Sequence, residues 1–104
     1  MINEYPEEYY NLNLDINIKN VVEGSVASKL SGFFFVRDNR VVFSALAFGR
    51  IGGHNVNVKI SKSSANEIKK LGYDPEIILQ IVQRKIIEGE ISILDAKKKK
   101  KKTS

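Results

Sequence analysis

From Leu12 to Lys19 the chain alternates strictly between apolar and polar side chains. Leu12, Leu14, Ile16 and Ile18 fall on one side, and Asn13, Asp15, Asn17 and Lys19 on the other. A period of two buries one face and wets the other, which predicts a strand. The following stretch, VVEGSVASKLSG, predicts a turn that pivots on Gly24. GFFFVRDNRVVFSALAFG then predicts a hairpin with Asp38-Asn39 as its two-residue turn, because both residue types tolerate positive φ. That register sets Val36 against Val41, Phe35 against Val42, Phe34 against Phe43, and Arg37 against Arg40. Two guanidinium groups in that position repel unless a carboxylate or an anion sits between them; Asp38 is the candidate carboxylate. HNVNVKI predicts a fourth strand with Val56, Val58 and Ile60 on one side.

The period changes after Ile60. Ser64-Ala-Asn-Glu67 has the form of a capping box and predicts a short helix that stops near Gly72. Asp74 suits an N-cap and Pro75 the first helical position. The helix that follows, PEIILQIVQRKIIEG, carries an apolar stripe of Ile77, Ile78, Ile81, Val82, Ile86 and Ile87, with Gln80, Gln83, Arg84 and Glu88 away from it. EISIL has the pattern of a short C-terminal strand. Strands followed by helices predict an α+β fold: an antiparallel sheet of about four strands, then two helices packed on one face. Residues 1–11 read as an acidic and aromatic arm, with Tyr5, Tyr9 and Tyr10 among Glu4, Glu7 and Glu8 and with Pro6 breaking any regular structure. Residues 12–95 read as one domain and 96–104 as a tail.

The hairpin is apolar on both faces, unlike the first strand. Phe34, Val36, Val41 and Phe43 share one face, and Phe33, Phe35 and Val42 the other. Two helices cover only one face of a sheet. An aromatic patch left in water is rare in a monomer, so three outcomes stand open for Phe33, Phe35 and Val42. The sheet closes into a barrel, the patch is an interface with a protein partner or a second copy, or its rings stack on nucleic-acid bases.

The chain of 104 residues carries a net charge of +5 that is unevenly placed. Six lysines stand in a row near its end: Lys97, Lys98, Lys99, Lys100, Lys101 and Lys102. Without them there remain 11 basic side chains against 12 acidic, a net charge of −1. Six adjacent ammonium groups repel one another and bury nothing, which predicts a disordered tail. Such a run binds phosphates by releasing condensed counterions, without reading sequence. The alternatives are a solubilising end, or an anchor to anionic lipid, for which no apolar or acylated companion is present. Arg37 and Arg40 are the candidate phosphate contacts on the domain itself.

Other chemistry is sparsely represented. The absence of cysteine removes disulfides, thiolate metal sites and thiol catalysis. His54 has no histidine or cysteine companion for a metal. GRIGG offers backbone N–H groups, but a strand follows it rather than the helix a phosphate loop needs. Its GRIG resembles the Gly-x-x-Gly loop of K-homology domains, yet joins strands where that loop joins helices. SANEIKKLGYDPEIILQIVQRKI resembles a helix-turn-helix, with Gln80, Gln83 and Arg84 as base readers. Lys69 stands where that motif has a small residue, Gly72 comes one residue early, and a sheet precedes it. Two helices covering a sheet is the simpler account. The expected protein is a non-catalytic accessory component of a nucleoprotein assembly, ribosomal or chromatin-associated, with no cofactor or metal. It is expected to be cytoplasmic, to contact RNA or DNA through its lysines, and to keep off membranes. The rival is a homo-oligomeric interaction module whose tail only solubilises it.

Overall fold

The computed structural model describes residues 5–12, 14–48 and 55–94. The element order is α1 (Glu7–Tyr10), β1 (Asn17–Glu23), β2 (Ala27–Val36), β3 (Asn39–Phe48), β4 (Asn55–Ile60), α2 (Lys62–Lys70), α3 (Pro75–Ile87) and β5 (Ser92–Ile93). The strands form one five-stranded sheet in the order β4-β3-β2-β1-β5. β1 to β4 are antiparallel, and β5 joins the β1 edge in parallel, so the sheet is mixed. The α+β fold is therefore as the pattern indicated. The sheet is open, with β4 and β5 as its edges, and does not close into a barrel.

The core lies between the sheet and the helices. Ile18, Leu30, Phe34, Val36, Val41, Phe43, Val56 and Val58 come from the strands; Ile68, Ile78, Val82 and Ile86 come from α2 and α3. The burial of Ile78, Val82 and Ile86 at intervals of four is the period of a helix lying along a sheet. Ile77, Leu79, Ile81 and Ile87 flank them, half-buried.

Both helix ends follow from local chemistry. Gly72 and Gly89 take φ of 94° and 78°, where a Cβ is costly. Each closes a Schellman motif: Tyr73 N–H donates to the Ile68 carbonyl and Glu90 N–H to the Lys85 carbonyl. Asp74 caps α3 by accepting from Glu76 N–H at 2.9 Å. The start of α2 differs from the expected capping box. Ser61, not Ser64, is the N-cap, its Oγ accepting from Ser64 N–H at 3.1 Å.

Three strand assignments are corrected. β1 begins at Asn17 and runs on to Glu23 through residues expected to turn. Leu14 and Ile16 keep their buried alternation in an extended segment ahead of it. The register between β1 and β2 slips between Ile18 and Asn20. A bulge there inserts one residue, so the core parity jumps from Ile18 to Val21 and the simple alternation breaks off. β2 in turn starts at Ala27, because its core positions include Ser28 and Gly32, which hide the apolar period.

The hairpin register also differs by two positions. Val36 pairs with Asn39, Phe34 with Val41 and Phe33 with Val42, so Arg37-Asp38 is the turn. Arg37 takes a φ of 60°. The observed register separates the two guanidinium groups. Arg40 pairs with Phe35 and lies 4.2 Å over the Phe33 ring, while Arg37 donates to the Tyr73 hydroxyl at 3.2 Å. A shift of two preserves which residues share a face, so the division of the hairpin into two apolar faces stands.

Residues 5–12 hold to the helix side. Pro6 precedes the single turn α1 rather than preventing it. Tyr9 is buried, packs edge-on to Tyr73 at 5.3 Å and accepts from Asp74 N–H at 2.6 Å.

Gly32 sets how closely β1 and β2 approach. A Cβ on Gly32 would stand 1.9 Å from the Asn17 carbonyl oxygen, so the backbone of β1 must move to admit one. Gly32→Ala is therefore expected to cost about 1–3 kcal/mol, the usual penalty for forcing backbone shifts in a packed core. Urea unfolding checks this; an unchanged midpoint would mean that β1 does not run this close.

Candidate nucleic-acid interface

Alternation along the strands assigns one set of side chains to the core and the other to the sheet face that α2 and α3 leave uncovered. The registers arrange that open face in rows. Phe35 and Arg40 form the first, next to the β2–β3 turn. Asn17, Phe33 and Val42 form the second. Asn20, Ser31, Ser44 and Lys59 form the third, and Val22, Lys29, Leu46 and Asn57 the fourth. Ala27, Phe48 and Asn55 close the far end.

The face is apolar and solvent-exposed together. Phe35 is 37% exposed, Val42 61%, Leu46 36% and Phe48 43%. Phe33 and Phe35 meet edge to face at 5.8 Å, and Arg40 covers Phe33. An arginine over a ring presents a second planar, cationic surface in place of the ring it covers. In the middle of the face lies a depression of about 350 Å³ lined by Lys29, Leu46, Ser44, Asn57 and Lys59.

On β2, β3 and β4 the charges of this face are all of one sign. Lys29, Arg40 and Lys59 point to it. The only carboxylate within the five strands is Glu23, which pairs with buried Ser28 and so belongs to the other face. Asp15, two residues ahead of Asn17 and on the same side of the chain, edges the face at the β1–β5 corner, where it lines a depression with Phe35, Lys85 and Glu90.

The candidate residues divide accordingly. Phe33, Phe35, Val42 and Arg40 come together on the open face. Arg37 does not join them, since its guanidinium turns toward Tyr73, on the helix side. The expected phosphate clamp, made of Lys97, Lys98, Lys99, Lys100, Lys101 and Lys102, lies outside the described residues. So do Gly49 to His54, with the GRIGG stretch. Lys29, Lys59, Leu46 and Phe48 escape the sequence reading. The polar face of NVNVKI signals Lys59, but only the register of three strands brings it beside Lys29. Gln83, a base reader if α3 were a recognition helix, accepts instead from the Val58 N–H at 3.1 Å. It thereby satisfies an outward group of the edge strand β4.

Among the described residues no three histidine or acidic side chains gather where a metal could bind, and no helix is long and apolar enough to cross a membrane. Set against known proteins, the chain matches no family model, no curated protein and no solved structure.

Proposed function

We propose that this chain is a non-catalytic, nucleic-acid-binding accessory protein of a nucleoprotein assembly, ribosomal or chromatin-associated, in the cytoplasm. One observation carries the proposal: the open sheet face, with Lys29, Arg40 and Lys59 set among exposed aromatic rings and Asp15 confined to its β1–β5 corner. A surface that attracts phosphate and also offers flat apolar groups suits a nucleic acid better than a lipid headgroup or an acidic protein. The lysine run supplies the rest of the electrostatic attraction. Leu94 N–H donates to the Ile18 carbonyl at the β1–β5 edge, so the following residues start from the border of the same sheet. Eight residues, from Leu94 to Lys102, reach up to roughly 28 Å when extended.

The test is fluorescence anisotropy with labelled oligonucleotides, comparing the full chain with one lacking residues 97–104 over a range of salt concentrations. Binding by the full chain that weakens on truncation supports the proposal. A full chain that binds neither single strands nor duplex at low salt overturns it and leaves the interaction module.

A further inference from the structure

We infer that the open face selects single-stranded over duplex nucleic acid, with bases on Phe35, on the Phe33–Arg40 pair and on Phe48, and phosphates over the Lys29–Lys59 depression. This rests on the nucleic-acid reading above and names which form of nucleic acid the domain takes. The spacing of the groups carries it. Phe33 and Phe48 pair with Val42 and Ala27, so the two aromatic ends lie six residues apart along the β2–β3 ladder. That separation is roughly 20 Å. Between them sit the two ammonium groups with Ser31, Ser44 and Asn57. Stacking surface, cationic groove and stacking surface in that order follow a strand whose bases are splayed out from its backbone.

A duplex fits poorly. Its bases are stacked inside, so it would lay phosphates on Phe35, Val42, Leu46 and Phe48 and gain nothing from the rings. A second copy also fits poorly. In a twofold face-to-face dimer the same patch meets itself. Lys29, Arg40 and Lys59 would then enter the contact with no carboxylate on β2, β3 or β4 of either copy to neutralise them.

The experiment measures the full chain and two variants, Phe35→Ser and Arg40→Gln, against labelled oligothymidylate and against a duplex of equal length. The parent is expected to bind oligothymidylate more tightly. Phe35→Ser is expected to lose roughly 5- to 150-fold of that affinity, the range for one base–ring contact, while duplex affinity, held by the lysine run, stays unchanged. Arg40→Gln changes an exposed side chain, so it decides the matter if Phe35→Ser fails to fold. It is expected to weaken oligothymidylate binding and to leave the fold intact by circular dichroism. Variants that match the parent on both probes overturn the platform, leaving nucleic-acid binding to the lysines alone. No binding of either probe by the parent is instead the failure of the nucleic-acid reading. Sedimentation adds one more outcome. A parent dimer that Phe35→Ser converts to a monomer, with oligothymidylate affinity unchanged, assigns the face to a second copy and overturns the inference.

Discussion

Removing residues 97–104 is expected to flatten the dependence of log K on log salt by up to about 4 on single strands and about 5 on duplex DNA. Each phosphate neutralised by a lysine frees roughly 0.7 of a condensed cation from a single strand and roughly 0.9 from B-DNA. The six lysines from Lys97 to Lys102 set those limits. Between 50 and 200 mM salt, a slope change of about 4 alters the relative affinity by a factor on the order of 10². The truncated chain should behave differently on the two probes. Lys29, Arg40 and Lys59 remain for a single strand and would hold a residual slope of roughly 2, whereas duplex binding should almost vanish. The melting temperature should hardly move, because the deleted residues contain no apolar side chain to pack. An unchanged slope on both probes would place the phosphate contacts elsewhere on the molecule.

The second large effect concerns stability and tests which side of the sheet is the core. Phe34→Ala is expected to destabilise the protein by about 3–5 kcal/mol. Phe34 is fully buried, sits between the sheet and the helices, and packs against Phe43 with ring centroids 5.8 Å apart. Domains of this size have a total stability of only about 5–15 kcal/mol, so the variant should melt more than about 10 °C lower. Val42→Ala removes a side chain from the neighbouring strand on the opposite face. Val42 is 61% exposed, and its loss should cost no more than about 1 kcal/mol, the span of intrinsic strand preference. Equal costs for the two variants would mean that a partner covers the open face in solution.

The helical half of the fold is readable in the sequence because its signals are local. Asp74, Pro75, Gly72 and Gly89 each act within a few residues, and α3 begins and ends where they indicate. The strands are harder, because register is a property of two segments. Asp38-Asn39 is the better turn by residue preference alone. The observed turn, Arg37-Asp38, places Arg40 over Phe33 and sends Arg37 to Tyr73, contacts that no local rule contains. The bulge between Ile18 and Asn20 likewise depends on how β1 crosses Gly32. For the site, the two-faced hairpin flags Phe33, Phe35 and Val42 from pattern alone. Lys29 and Lys59 are 30 positions apart in the chain and become neighbours only through the pairing of β2, β3 and β4. The cationic middle of the face is therefore invisible until the registers are known.

The binding surface itself is most directly tested by titrating the isotope-labelled full chain with oligothymidylate and following its backbone amide signals. The predicted result is that shifts concentrate in Lys29, Phe33, Phe35, Arg40, Leu46, Phe48 and Lys59, along with the lysine run, while Ile68, Ile78 and Val82 stay still. Shifts that instead gather on α2 and α3, or are confined to the lysine run, would contradict a nucleic-acid platform on the open sheet face.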